Sequence, residues 1–565
     1  MNNPAIQEPP SSSGFRTTLR WPSPWSVAAT LTALVVMTPI LTVLGYLFHP
    51  GSGTWQHLAD TVLGEYIRNS LLLMAGVAVG AGSIGITTAW LTSMYRFPGR
   101  RLFIWALLLP LAFPAYILAY TYTGMLEPAG PVQEWIRTTF DVGYGEYWFP
   151  EIRSIGGAMV MLSLVLYPYV YLLARAAFLE QSVCALEASR SLGCGPWRSF
   201  FSVALPLARP AIVVGLSLAL METLADFGTV DYFGVSTFTT GIFRTWYGLY
   251  DEVAAAQLAA LLMLFVFTLI LLERWSRRQA RYHHTTNRYQ ALPEIRLGRV
   301  NAWLATTACL LPLLFGFLLP VAQLTLWAFQ TWKQMVDEEF LTLAANSFTL
   351  AGSAALIALL VALLLGYGKR LQPSRWLQAL VQVAGMGYAI PGMVIAIGVL
   401  IPFGWLDNTL DGWMRDRFGF SSGLLFSGTL FILLFAYLVR FLTVSLNTVE
   451  AGLGRIKPSM DEAAWSMGQG RITTLRRVHL PLMRGSLLTA LLIVFVDVLK
   501  ELPATLVLRP FNFNTLAVRA YELASDERLA DASSAALTIV LVGIIPVILL
   551  SVTIAHSRPG HAKPA

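Results

Sequence analysis

Twelve runs of mostly apolar residues, each close to the roughly 20 that an α-helix needs to cross a bilayer, leave this chain little freedom. They occupy residues 27–48, 70–93, 102–123, 155–173, 211–229 and 254–272 in the first half, and 303–329, 347–367, 377–403, 423–442, 485–508 and 534–555 in the second. With 56% of residues hydrophobic and only 13% charged, lipid is the expected solvent. The pattern predicts an all-α integral membrane protein with twelve transmembrane helices. Placing the N-terminus inside puts 28 of the 39 Lys and Arg on the inner side, where cations flanking a span resist translocation. The acids run the other way, with 8 of 32 inside. Both termini are therefore expected in the cytoplasm, and the net charge of +7 reports topology without calling for nucleic acid.

The second constraint is a duplication. Glu187-Ala188 is followed by Gly193 and, thirteen residues later, by Leu205-Pro206; Glu462-Ala463, Gly468 and Leu480-Pro481 repeat this at an offset of 275. Arg244, Trp246 and Asp251-Glu252 match Arg519, Tyr521 and Asp526-Glu527 at the same offset, while Asn69-Ser70 and Pro114 match Asn346-Ser347 and Pro391 at 277. Six spans per half is an even number, so the repeats must share one orientation, about an axis along the membrane normal. The expected layout is a tail (1–26) ahead of an uncleaved first helix, a first half (27–272), a basic connector (273–302), a second half (303–555) and a short tail (556–565). Arg175 lies 12 residues before Glu187 and Arg440 lies 22 before Glu462, which reads as an insertion of ten residues near 450–458.

One copy of such a loop would be an ordinary solvated turn. Two copies with the same small and polar residues at one spacing predict a helix, a glycine turn and a second short helix, after which Pro206 and Pro481 start the next helix, where a missing N–H is harmless. A knob of this kind at the cytoplasmic face is shaped to dock on a soluble partner. The chain has no G-x-x-x-x-G-K-[ST] phosphate loop of its own, since Gly368-Lys369 runs on to Arg370.

Charge inside a span is costly and tends to face a cavity or a partner. Glu222 and Asp226, four apart on one helical face, recur as Asp497 and Glu501. Glu222 lies about 17 Å into its run at 1.5 Å per residue, near the midplane. These four carboxylates are candidates to line a pore, where hard oxygen ligands suit a hard cation; the alternative is neutralisation within the protein, for instance by Lys500 or Arg509. His57, His283, His284 and His479 lack metal-ligand spacing and read as solvated loop residues. Cys184, Cys194 and Cys309 form no disulfide or zinc pattern, and no metal site is assigned.

The Glu-Ala, Gly and Leu-Pro arrangement resembles the coupling loop of permease subunits of bacterial ABC importers that work with a periplasmic binding protein, and two copies resemble the fused, two-domain members. The segments 220–230 and 500–506 are similar to the ferric iron permeases of that family. The resemblance implies the type I (MetI-like) permease fold, an inner-membrane location, no catalysis and no cofactor in this chain. It further implies a cytoplasmic ABC ATPase dimer that uses ATP and grips the two loops, and a periplasmic iron-binding protein. Thiamine and polyamine permeases can share these features, and parallel repeats also occur in secondary transporters.

Overall fold

The computed structural model describes residues 24–180, 195–278, 295–372 and 374–556. Eleven of its helices are long and apolar enough to cross a membrane, and a twelfth crossing is a bent pair, Arg100–Ala112 and Ala115–Phe140, at 91°. In chain order the crossings are Pro24–Phe48 (span 1), Leu63–Met94 (span 2), the bent pair (span 3), Ile155–Leu179 (span 4), Trp197–Ala225 (span 5) and Glu252–Ser276 (span 6). The second half has Arg299–Met335 (span 7), Glu338–Leu371 (span 8), Gly392–Phe418 (span 9), Leu430–Gly454 (span 10), Arg471–Leu499 (span 11) and Leu529–Leu549 (span 12). A short parallel strand pair, Tyr95–Arg96 with Ile295–Arg296, pins the entry to the second half against the turn after span 2.

Four apolar runs that hydropathy reads as continuous are broken. Runs three and nine break at Pro114 and Pro391, because a proline ring drives the residue before it out of the helical region. Phe113 (φ −84°, ψ 126°) and Ile390 (φ −88°, ψ 129°) are extended accordingly. Runs five and eleven stop at Ala225 and Leu499 and resume as the short helices Gly228–Tyr232 and Pro503–Leu508. Helix ends strand backbone donors, and acidic side chains take them up. Asp226 accepts from the N–H groups of Thr229 and Val230, both at 3.1 Å. Glu501 accepts from that of Ala504, also at 3.1 Å.

The halves are interleaved. One apolar core joins spans 1 and 6 (Val36, Leu258, Leu262) to spans 8–11 (Ala355, Val394, Val439, Val494). The other joins spans 7 and 12 (Leu313, Leu324, Ile539) to spans 2–5 (Val77, Ile117, Leu162, Ile212). Each half thus lends its first and last helices to the core of the other.

Two expectations need correction. Pro206 and Pro481 do not start new helices: spans 5 and 11 run straight through them as single helices. Just before each proline the helix widens by a π turn, with Leu205 N–H bonded to Phe200 O and Leu480 N–H to Leu475 O. The wider turn eases the clash that a proline ring makes with the preceding turn. The same device precedes Pro320 in span 7, where Leu319 N–H reaches Leu314 O. The ten-residue insertion is also absent. The helices beginning at Ile155 and Leu430, and the π turns beginning at Phe200 and Leu475, both keep the offset of 275. Arg440 therefore matches Val165, and Arg175 matches Glu450.

Interleaving predicts that a chain cut within the connector, with only one piece produced, gives little protease-resistant protein in membranes. Producing both pieces together should restore it. Stable accumulation of either piece alone would contradict the exchange of helices.

Candidate functional site

The four breaks converge. Pro114 and Ala115 from span 3, Asp226 to Gly228 after span 5, Tyr388 beside the span 9 break, and Glu501 to Pro503 after span 11 line one cavity of about 120 Å³. All four carboxylates expected in a pore, Glu222, Asp226, Asp497 and Glu501, are on its wall. Tyr169 and Tyr388 and the cations Arg440 and Lys500 complete its polar lining.

The carboxylates differ in how they are held. Glu501 pairs with Arg440 at 3.4 Å, both side chains less than a tenth exposed. The pair presses on Gly392, where an added Cβ would come within 2.3 Å of Arg440 Nη1 and 2.6 Å of Glu501 Oε1. Asp497 pairs with Lys500 Nζ at 2.9 Å. Asp226 is held by the short helix it caps, accepting also from Thr229 Oγ1 at 3.0 Å. Glu222 makes no hydrogen bond or ion pair among the described residues. Internal neutralisation thus applies to two of the four, one of them through a partner that spacing does not reveal, while Arg509 turns away to Glu522 at 2.8 Å. No group of three His, Cys, Asp or Glu among the described residues is close enough to hold a metal ion.

On the side away from the duplicated loops, bonds between the halves close over the cavity. Tyr521 donates to Asp231, Tyr116 donates to Ala517 O at 3.3 Å, and Tyr247 donates to Val507 O at 3.0 Å. Arg153 bridges Glu127 at 2.6 Å and Glu527 at 3.2 Å.

Of the first loop, Glu187, Ala188 and Gly193 lie outside the described residues; Leu205 and Pro206 lie in span 5. The second loop is described. Glu462 and Ala463 are on the short helix Pro458–Ser466, Gly468 follows with φ 75°, a left-handed turn that suits glycine, and span 11 begins at Arg471, carrying Leu480 and Pro481. A polar cluster bolts this loop down. Arg370 donates through Nε to Asp461 Oδ2 at 2.8 Å and through its other nitrogens to Leu453 O and Ile456 O. His479 is not solvated as expected: it is 1% exposed and its Nε2 lies 2.6 Å from Asp461 Oδ1. An ionised carboxylate only accepts, so Nε2 carries the proton. Burial raises the Asp461 carboxyl, but the bonds from Arg370 and His479 outweigh it and hold the group below its ordinary value. The first half has Leu186 and Ala204 where the second has Asp461 and His479.

Arg440, Tyr169 and Tyr388 are polar cavity residues that sequence reasoning missed, whereas Lys500 was anticipated as a neutralising partner. The signal for Arg440 was present, a lone arginine inside the apolar run 423–442, but pairing it with Arg175 turned it into evidence for an insertion.

The family model of binding-protein-dependent transport system inner membrane components matches residues 26–280 and 354–559. The Fe(3+)-transport system permease protein FbpB 2 of Haemophilus influenzae is 27% identical over 536 residues, 92% of this chain and 97% of its own. The ferric transport system permease protein FbpB of Actinobacillus pleuropneumoniae is 24% identical over 499 residues, 83% of this chain and 69% of its own. The molybdenum transport system permease protein ModB of Escherichia coli is 29% identical over 203 residues, 35% of this chain and 86% of its own.

Two outcomes follow from the geometry. Removing one member of a buried pair leaves an uncompensated charge, costing roughly 3–5 kcal/mol; Arg440→Met should lower the thermal midpoint of the purified protein sharply, and adding Glu501→Gln should recover most of the loss. Asp461 has a depressed folded pKa, so its contribution is complete above the unfolded value of about 4 and fades only as pH falls through the lower folded value. Asp461→Asn should therefore lower the midpoint by a constant amount across neutral pH, with the two proteins converging only in acid. A gap that opened and closed between pH 6 and 8 would assign the effect to another group.

Proposed function

This chain belongs to the family of binding-protein-dependent transport system inner membrane components, and from that premise we propose that it is the fused permease subunit of an ABC importer that moves ferric iron. As a member with its many spans it is a multi-pass inner-membrane protein. In the reading adopted, both termini and the duplicated loops face the cytoplasm. A dimer of separate ATPase subunits docks at Glu187 to Gly193 and Glu462 to Gly468 and supplies the ATP chemistry. A periplasmic binding protein delivers the cargo from the other side, and the chain itself carries no cofactor and catalyses no reaction. An ion-gradient transporter is set aside by the family.

The observation that carries the cargo class is the cavity wall, with four carboxylates against two cations and Glu222 in no hydrogen bond or ion pair among the described residues. An oxyanion would meet this excess of negative charge, whereas a hard, highly charged cation meets carboxylate and phenol oxygens suited to it. Relatives named for ferric transport along most of the chain agree with that chemistry.

The mechanical path is short. Span 11 is one helix of 29 residues from Arg471 to Leu499, about 43 Å at 1.5 Å per residue. One end emerges from the second loop and the other carries Asp497 to the cavity. Span 5 places Glu222 in the same way. Movement of the loops by the ATPases thus reaches the acids through a single rod in each half, and the bonds between the halves over the cavity must part for cargo to enter.

The test is uptake by proteoliposomes holding the permease, its ATPase and its binding protein. Ferric ion should accumulate only with ATP, and Glu222→Gln should lower the rate at least about tenfold, the scale of one lost charge interaction at close range, with normal protein levels. Uptake of spermidine or thiamine in place of iron would redirect the cargo assignment, and full activity of Glu222→Gln would remove the cavity acid from the path.

A further inference from the structure

Lys500 has no counterpart: the matching position in the first half is Ala225. It follows the last residue of span 11 at the break, and its ammonium lies against Asp497 on the wall of the cavity. Arg440 is different in kind, because it is wedged between Glu501, Gly392 and the ring of Phe441, 5.6 Å away, with little room to move. Lys500 is a single flexible arm, 28% exposed, paired only to a residue three positions earlier on its own helix. Across the cavity, Glu222 is the repeat mate of Asp497 and holds no partner. The charges of Arg440 and, after it, Lys500 act on Glu222 without pairing to it.

We propose that Lys500 is a tethered stand-in for the cargo, a resident cation that holds Asp497 at rest and swings aside when a trivalent ion takes both Asp497 and Glu222. This rests on the assignment of ferric iron as cargo and names the residue that sets its charge selectivity. The discrimination is electrostatic. Attraction to a fixed carboxylate scales with the charge of the ion. A monovalent ion that displaces an ammonium exchanges like for like and must also free a covalently attached competitor at high effective concentration. A divalent ion gains modestly, and a trivalent ion gains most. The tethered ammonium therefore handicaps common small cations while leaving a path for the highly charged cargo. When Lys500 withdraws, the twofold-related pair Glu222 and Asp497 becomes symmetric, with the phenols of Tyr169 and Tyr388 beside it as further oxygen donors.

The experiment uses the complete transporter in proteoliposomes, measuring ATP-driven uptake of radiolabelled ferric ion and entry of manganese(II) by quenching of a trapped dye. Lys500→Met, which keeps most of the length of the arm and removes its charge, should raise manganese entry at least about tenfold and so lower the ratio of ferric to manganese uptake. Lys500→Arg, which keeps the charge, should keep the ratio of ferric to manganese uptake well above that of Lys500→Met. Asp497→Asn frees the ammonium to pair with Glu222 and should depress ferric uptake; adding Lys500→Met to it should recover part of the loss, an outcome that simple misfolding would not give. Unchanged manganese entry in Lys500→Met, at normal protein levels, would overturn the proposal. Failure of the unaltered transporter to take up ferric ion would instead overturn the cargo assignment on which it stands.

Discussion

A helix that restarts inside a bilayer leaves the N–H groups of its first turn with no water to bond, and much of this molecule follows from how two such restarts are satisfied. Asp226 and Glu501 turn back onto the short helices that follow spans 5 and 11 and accept from their first amides. An ionised acceptor is the strong solution for such donors, and it brings negative charge to mid-membrane as a direct consequence. Once there, that charge needs company. The second half provides Arg440 for Glu501 and Lys500 for Asp497, while the first half holds Asp226 through backbone and hydroxyl bonds and leaves Glu222 without a partner. The cavity's chemistry and the repair of its broken helices are one arrangement.

The π turns extend this logic to the loops. A proline that began a new helix at Leu205-Pro206 or Leu480-Pro481 would permit a flexible joint between loop and span. The widened turn instead lets the helix pass through proline unbroken, so in the second half the end of the loop and the cavity acid share one helix. Exchange of the first and last helices between the cores works in the same direction, since spans 1 and 6 must follow the second half and spans 7 and 12 the first. Motion in this protein is accordingly a matter of whole interleaved bodies shifting about the cavity, where the halves meet on the far side through polar bonds and through the rings of Tyr116, Phe227 and Tyr521.

Much of this was legible in the sequence. The apolar runs located the spans, and the offset of 275 located both loops and both pairs of acids. The breaks were not legible because apolar character continues across them: 211–229 and 485–508 read as single runs, although a carboxylate inside each ends the helix. Pro114 and Pro391 were visible as a matched pair, yet a proline in a span is as compatible with a bend as with a full stop. Arg440 and His479 were misread for a common reason. Each is a polar residue near a predicted boundary, and only packing shows that Arg440 faces Glu501 and that His479 is buried against Asp461.

What the duplication preserved and what it changed can be separated by constraint. Helix starts, π turns and capping acids keep their register in both halves, since losing any of them would leave backbone groups unsatisfied in lipid. Positive charge had no such obligation. Val165, Ala225 and Ala204 stand where the second half has Arg440, Lys500 and His479, so the positive charge on the cavity wall comes from the second half. A symmetric pore with four unpaired acids would carry a dense, uncompensated negative charge in a medium of low dielectric, where mutual repulsion is severe. Placing the counter-ions in one half relieves that repulsion while leaving one acid open, so the asymmetry of the repeat follows from the same desolvation cost that makes a charged cavity expensive in the first place.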